Sequence, residues 1–210
     1  MIHIFGDSHA HFSFRNLKLV YNDLFCSAIT MFRIGRDNNI INFKKNTINK
    51  GDMIVLSYGE VDCRCHIKRQ INLGKEENMV IEELVETYFN SIKDNIDMDV
   101  KVVIVGVIPP TKQSDYETIH GPIQHEFPFI GSDEERARYT NKVNKLLEYH
   151  SNRNNYYYFN PYSFYTREDG TLKHELSDNL VHIGNNTFFL EEFISLYNQI
   201  YNLIGGFGLY

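Results

Sequence analysis

The sequence predicts a three-layer α/β/α sandwich with a mostly parallel sheet of about five strands. Short apolar runs alternate along the chain with longer segments whose apolar residues recur at helical spacing. The runs lack strict alternation of apolar and polar residues, which is typical of strands that are buried on both faces. Strands that alternate with helices favour parallel pairing through right-handed crossovers.

Five apolar runs predict the strands. The fourth run is the richest in β-branched residues, a composition that favours strands. The predicted strands are Ile2–Phe5, Ala28–Ile34, Met53–Tyr58, Val102–Ile108 and Tyr156–Phe159.

Three segments predict helices. The first, Glu76–Lys93, carries an apolar stripe at helical spacing. The second begins at Ser132, which can cap the helix while Glu135 reaches back in a capping box. The third spans Thr187–Leu203. Residues 109–130 have no periodic pattern, and a connection of this length is usually functional or mobile.

Length and composition favour one domain. The chain has 210 residues, of which 42% are hydrophobic and 14% aromatic. Such a chain can bury a sizeable core and is too apolar to be disordered. We therefore expect a single domain over residues 1–204, with residues 205–210 as a tail or as the start of a linker in a longer multidomain protein.

Charge and cysteine content restrict the partners and the location. The formal net charge is −6 and there is no long Lys/Arg cluster, which argues against a general nucleic-acid binder. No segment approaches the ~20 consecutive apolar residues of a membrane span, and the N-terminus lacks a signal-peptide pattern. Three cysteines are too few for a disulfide framework, in agreement with a reducing compartment. We expect a cytoplasmic protein without membrane contacts.

Three segments carry residues suited to acyl-transfer chemistry. The tetrapeptide Gly-Asp-Ser-His at residues 6–9 follows the first strand, where ligands gather in open α/β sheets. Asp178 stands four residues before His182, and a carboxylate and a histidine on one loop can together activate a serine. Residues 57–66 add two carboxylates, an arginine and two cysteines after the third strand.

In order and placement these segments resemble the motif blocks of the SGNH (GDSL-type) hydrolases, whose fold is flavodoxin-like. The resemblance spans residues 6–182. It implies that Ser8 is the nucleophile, that His182 is the general base and that Asp178 orients this histidine. It also implies that the backbone N–H groups of Gly35 and Ser8 belong to an oxyanion hole.

The chain departs from that pattern at three places. His9 follows the serine where the family has leucine. Val61 stands where the family has an asparagine donor, so Arg64 or the region of Cys63 would have to supply a substitute. In the last block the usual spacing falls on Asn179, which leaves this residue or a backbone carbonyl as an alternative orienting group.

Further polar residues near these blocks are candidates for contacts with an oxyanion or a substrate. They lie beside the serine, after the third strand and in the long connection 109–130, where loops can position a substrate over the sheet. The candidates are Asp7, Glu60, Asp62, Arg64, His120 and His125.

The expected function is transfer of an acyl group, such as acetyl, to a sugar or amino sugar through an acyl-serine intermediate. Residues 59–64, Gly-Glu-Val-Asp-Cys-Arg, resemble a variant found in glycan-modifying proteins, including sugar N-acetyltransferase-like domains of large DNA viruses. The resemblance implies a sugar or nucleotide-sugar substrate, acetyl-coenzyme A as acyl donor and no permanently bound cofactor. For a viral protein it implies the host cytoplasm.

Three alternatives stay open at this point. An esterase or deacetylase of carbohydrates would use the same site with water as the acceptor. A metallophosphoesterase is suggested by Asp7-x-His9-x-His11 and by the cluster at 62–66, but its second-metal motif is absent and we predict no metal site. A non-catalytic glycan-binding module would use the aromatic residues at 127, 129 and 156–158.

Overall fold

The described structure contains strands and helices in alternation. The computed structural model describes residues 1–26, 29–38, 41, 47–96, 99–124 and 126–202. The strands are β1 Ile2–Gly6, β2 Tyr21–Phe25, β3 Met53–Ser57, β4 Lys101–Val105 and β5 Tyr157–Phe159. The helices are α1 Ser8–Phe14, α2 Met31–Asp37, α3 Ile67–Asn72, α4 Glu77–Asn95, α5 Gln113–His120, α6 Asp133–Arg153, α7 Tyr162–Tyr165 and α8 Thr187–Ile200. A π-helical turn at Asp62–His66 leads into α3, and a 3₁₀ turn forms at His174–Leu176.

The strands form one parallel sheet in the order β2-β1-β3-β4-β5. The predicted α/β fold with a parallel sheet is therefore confirmed. From β1 the chain passes to β2 on one side of β1 and then returns to form β3 on the other side of β1. The carboxyl ends of β1 and β3 thus flank the topological switch point, the place where open α/β sheets bind ligands.

The sheet is buried on both faces, which divides the core into two parts. In β3, Met53 and Val55 face the layer that contains α1 and α8, while Ile54 and Leu56 face the layer that contains α4 and α6. All four side chains are fully buried. This burial explains why the strand has an uninterrupted apolar sequence.

The prediction of a strand over residues 28–34 is wrong, and position 28 itself lies outside the described residues. The second strand is β2, an edge strand whose residues are all half-buried or exposed, so it contains no apolar run that could reveal it. Helix α2 instead begins at Met31, and Thr30 caps it by accepting the N–H of Arg33 at 3.1 Å. The apolar residues near Met31 belong to a helix that buries one face.

The long connection after β4, in which the sequence shows no periodic pattern, contains the helix α5. The N–H of Gln113 donates to Asp133 Oδ1 at 2.9 Å, which ties the start of α5 to the start of α6. None of the residues of α5 is buried. The helix therefore has no apolar stripe from which it could be predicted.

The three predicted helices correspond to α4, α6 and α8 and lie close to their predicted positions. The capping box is present at α6, where Ser132 Oγ accepts the N–H of Glu135 at 3.1 Å and Glu135 Oε2 accepts the N–H of Ser132 at 2.9 Å. Helix α8 begins at Thr187 as predicted, while Leu203 and the tail 205–210 lie outside the described residues. Among the helices of the described part, none is long and apolar enough to cross a membrane.

Candidate active site

The serine turn lies at the carboxyl end of β1. Ser8 is the first residue of α1, and Asp7 caps this helix by accepting the N–H of His9 at 2.9 Å. The first N–H groups of a helix have no acceptor within it, so the N–H of Ser8 is available to a developing negative charge. Asp7, a candidate for substrate contact, is 2% exposed and acts here as the cap.

Gly6 permits this tight turn because α1 packs directly on the end of β1. A Cβ at position 6 would lie 2.1 Å from Ala10 Cβ and 2.8 Å from the carbonyl oxygen of Ser57. No side chain fits in that space. The glycine of the Gly-Asp-Ser segment is thus required by the close approach of helix and strand.

The loop before α8 carries Asp178 and His182 in a compact arrangement. The Asp178 carboxylate accepts the N–H of Leu180 at 2.8 Å and the N–H of His182 at 3.1 Å. The N–H of Asp178 donates to the carbonyl of His182, and Ser177 forms an isolated antiparallel bridge with Ile183. These bonds hold the side chains of Asp178 and His182 on the same side of the loop.

The loop meets the serine turn in a continuous hydrogen-bond chain. His182 Nδ1 lies 2.7 Å from Asp178 Oδ2, and His182 Nε2 lies 3.0 Å from Ser8 Oγ. With the ring proton on Nδ1, the histidine donates to the carboxylate and accepts from the serine hydroxyl, which is the arrangement of a nucleophile, base and orienting acid. The carboxylate in contact is Asp178, whereas Asn179 is exposed and contributes its carbonyl to His120.

The electrostatics favour an ionised Asp178 and a neutral His182. Burial raises the pKa of Asp178, but hydrogen bonds from His182 and from two backbone N–H groups outweigh it, and the pKa lies below its usual value. Burial lowers the pKa of His182; Asp178 raises it and the positive charge on His9 lowers it again, so this pKa lies below its usual value. A histidine that stays neutral can take the proton of a serine hydroxyl.

A ring of α1 packs on the His182 side chain, and two hydrogen bonds tie the residues after His182 to the end of α1. Phe12 stacks on the ring of His182 with centroids 4.3 Å apart. Arg15 donates to the carbonyl of Gly184 at 2.9 Å, and Asn186 donates to the carbonyl of Arg15 at 2.7 Å. Sequence reasoning did not select Phe12 or Asn186, since neither belongs to a motif.

A group of charged side chains is buried beside this chain. His9, Glu60 and Arg64 are each about 4–5% exposed. Glu60 Oε2 lies 3.1 Å from His9 Nε2 and 3.2 Å from a guanidinium nitrogen of Arg64, which are ion-pair distances without hydrogen-bond angles. The Glu60 carboxylate therefore lies between the Arg64 guanidinium and the His9 ring. This burial does not support the expectation that they contact a substrate directly.

Asp62 supports the fold, which corrects the expectation of an oxyanion or substrate role. Its carboxylate is fully buried and accepts the N–H groups of Met31 at 2.7 Å and Phe32 at 3.1 Å. It therefore caps the first turn of α2 from the segment after β3. Burial raises the pKa of Asp62 to about 7, although the two backbone N–H groups lower it.

Gly35 does not occupy the position that the resemblance implies. It lies inside α2, and a Cβ there would lie 2.5 Å from Thr87 Oγ1 on α4. This glycine lets two helices approach, and its N–H belongs to a helix turn. Val61 is buried and supplies no side-chain donor. Of the two backbone donors that the resemblance implies, the described structure therefore leaves the N–H of Ser8 as the candidate.

Of the two candidate histidines in the connection 109–130, the structure describes His120. His120, at the end of α5, donates from Nε2 to the carbonyl of Asn179 at 2.9 Å and so contacts the loop of the candidate base. Its side chain is exposed. His125 lies outside the described residues.

The residues that suggested a metallophosphoesterase do not come together as a group of metal ligands. His11 pairs with Asp23 at 2.6 Å on the surface, while the His66 ring contacts the tilted ring of Phe32 with centroids 4.1 Å apart. Asp62 caps α2, as described above. Throughout the described ranges no group of three or more His, Cys, Asp or Glu side chains has the arrangement of a metal site.

Comparison with solved structures finds this fold in several proteins of low sequence identity. A GDSL-like lipase from Bacteroides thetaiotaomicron matches with a TM-score of 0.53 and 13% identity, over 95% of this chain and 86% of the lipase chain. The C-terminal domain of the Drosophila Oskar protein matches with a TM-score of 0.54 and 12% identity, over 93% of this chain and 85% of that chain.

A gut microbial diltiazem-metabolizing enzyme matches with a TM-score of 0.54 and 12% identity, over 94% of this chain and 46% of the enzyme. No family model matches the sequence. The comparison with curated proteins likewise gives no match. The protein therefore has the fold of the GDSL-type (SGNH) hydrolases, and at this level of identity the likeness concerns the fold alone.

We expect Gly6→Ala to displace α1, because the new Cβ would overlap Ala10 and the carbonyl of Ser57. The free energy of unfolding should fall by about 1–3 kcal/mol, as in overpacked cores, and the Ser8–His182 contact should loosen. Denaturant titration measures the first effect, and the NMR signal of the His182 ring reports the second. The double variant with Ala10→Gly removes the closer overlap and should recover part of the loss. Wild-type stability of the single variant would contradict the close approach.

Proposed function

We propose that the protein is a serine acyl-transfer enzyme whose Ser8 takes the acyl group of an ester or thioester. One observation carries this proposal: the hydrogen-bond chain from Asp178 through His182 to Ser8 at the switch point of the sheet. The fold shared with a GDSL-like lipase supports it. The chain of three residues is the geometry that activates a hydroxyl group.

The proposed reaction has two halves. Ser8 Oγ attacks the acyl carbonyl while its proton moves to His182 Nε2, and the N–H of Ser8 donates to the oxyanion. The intermediate then expels the alcohol or thiol, which receives the proton from His182, and an acyl-Ser8 ester remains. In the second half an acceptor attacks this ester while His182 removes the acceptor's proton; the bond from the acyl carbon to Ser8 Oγ then breaks, and His182 returns the proton to Ser8. Asp178 stays ionised and stabilises the imidazolium that forms in each half.

For the acceptor we propose the hydroxyl or amino group of a sugar or nucleotide sugar, with acetyl-coenzyme A as the donor. The support is the variant segment at residues 59–64, which resembles glycan-modifying proteins. Hydrolysis of an acyl ester is the second candidate, favoured by the fold shared with a GDSL-like lipase. Both functions use the same acyl-serine, so they differ only in the group that resolves it.

Ser8 should form a covalent acyl adduct. Intact-mass spectrometry after incubation with acetyl-coenzyme A or an activated acetyl ester should show one acetyl group, which Ser8→Ala loses. Asp178→Asn should slow adduct formation by about 10²-fold or more, because the ring loses its orienting carboxylate. Asn179→Gly is the matched control, since position 179 has a positive φ of 64° and an exposed side chain. An adduct retained by Ser8→Ala, or equal rates in both loop variants, would refute the assignment.

The rate of adduct formation should depend on pH through His182. The pKa of this histidine lies below 6.5, so the neutral base prevails at neutral pH. The rate should be level above pH 6.5 and fall as the pH drops through the lowered pKa, where protonated His182 can no longer accept the serine proton. Stopped-flow measurement with an activated ester gives the profile. A midpoint above 6.5 would contradict the lowered pKa.

Acceptor dependence separates the two candidate functions. Acetyl-coenzyme A is supplied with a panel of amino sugars and nucleotide sugars, and acetylated glycans are tested separately. Consumption of acetyl-coenzyme A that requires a sugar and yields an acetylated sugar is expected for the transferase. Steady release of acetate from esters without any dependence on a sugar would identify the esterase instead.

A further inference from the structure

A second histidine lies directly against the candidate base. The ring centroids of His9 and His182 are 4.6 Å apart. His9 Nε2 lies 3.1 Å from the carbonyl oxygen of Val181, the residue that precedes His182. A carbonyl oxygen only accepts, so His9 donates this hydrogen bond and carries a proton on Nε2. The bond joins the serine turn to the loop of the base.

Each ring nitrogen of His9 also lies near a carboxylate. Nδ1 lies 3.4 Å from Asp7 Oδ1 and Glu60 Oε2 lies 3.1 Å from Nε2, and both are ion-pair distances without hydrogen-bond geometry. Burial lowers the pKa of His9, but the carboxylates of Glu60 and Asp7 outweigh burial and the opposing effect of Arg64, and the pKa lies above its usual value. Two carboxylates around one buried ring stabilise its doubly protonated form.

We propose that His9 is a positioning residue for the base: as an imidazolium held by Glu60 and Asp7, it anchors the Val181 carbonyl and places a positive charge beside the His182 ring. This inference rests on the proposed function, because it assigns His182 the role of base. The anchor holds the ring against Ser8, and the charge opposes protonation of His182. His182 then remains able to accept the serine proton in weakly acidic solution.

The groups that face His182 come from three parts of the fold. Asp178 on its own loop lies 2.7 Å from Nδ1, and Ser8 on α1 lies 3.0 Å from Nε2. His9, also on α1, opposes a positive charge on the ring, and Glu60 after β3 favours it. Two carboxylates therefore favour the protonated His182 ring, and one cation, His9, opposes it. Of these three groups, His9 is the one that can be replaced selectively.

Two substitutions separate the anchor from the charge. His9→Gln keeps an amide donor for the Val181 carbonyl and removes the charge. His9→Leu, the residue that follows the serine in the resembling family, removes both. His11→Gln is the matched control, because His11 is on the same helix but pairs with Asp23 at the surface. All variants are first compared by circular dichroism and thermal unfolding.

The readouts are the NMR titration of the His182 ring and the pH profile of Ser8 labelling by a fluorophosphonate probe. In His9→Gln the pKa of His182 should rise by about one unit, as expected for loss of a charge within ~4–6 Å, and the labelling rate at high pH should stay close to that of wild type. In His9→Leu the same rise should be accompanied by a labelling rate about 10- to 100-fold lower, because the base is misplaced. His11→Gln should behave as wild type.

The outcomes distinguish this inference from the proposed function. An unchanged pKa of His182 in folded His9→Gln overturns the role of the charge, and a wild-type labelling rate in folded His9→Leu overturns the anchor. If wild-type Ser8 does not react with the probe, the proposed function and the positioning role that depends on it both fail. In that case the NMR titration still shows whether His9 controls the charge of His182.

Discussion

The packing of α1 against α8 on one face of the sheet is the contact on which the site depends. Phe14 makes edge-to-face contacts with Phe189 and Phe193, with ring centroids 4.8 and 4.9 Å apart. Asn186, immediately before α8, donates to carbonyls at the end of α1. Because Ser8 begins α1 and His182 precedes α8, this interface brings residues 174 positions apart into hydrogen-bond distance. Without it the serine turn and the loop of the base would be separate surface features.

The cost of burying charge beside this interface is offset by mutual pairing. Glu60, His9, Arg64 and Asp7 are all nearly inaccessible, and an isolated ion in such a place would be strongly unfavourable. Each of them lies near a group of opposite charge, and the cluster adjoins the Asp178–His182 pair. Low solvent access makes these charges act on one another more strongly than they would at the surface. The cluster can therefore influence the charge of the His182 ring.

Residues of the candidate site could be predicted where both the residue type and its order along the chain matched the requirements of acyl transfer. Ser8, Asp178 and His182 could be selected because a serine after the first strand and a carboxylate–histidine pair before the last helix form a recognisable combination. The choice between Asp178 and Asn179 could not be made from spacing. It depends on the loop conformation, in which Asp178 accepts two backbone N–H groups and Asn179 adopts a positive φ.

The sequence by itself determined the alternation of strands and helices, because a parallel sheet covered on both faces requires uninterrupted apolar runs such as the one in β3. The sequence also identified the candidate serine, histidine and carboxylate, since few residue types can perform acyl-transfer chemistry. Only the tertiary structure decided what lies around them. Gly35 packs against Thr87 and Asp62 caps α2, although both stand in motif-like positions. The edge strand β2 and the surface helix α5 carry little apolar signal because they bury little. The physical reason is the same throughout: burial against the core is visible in local sequence, whereas contacts between distant segments are not.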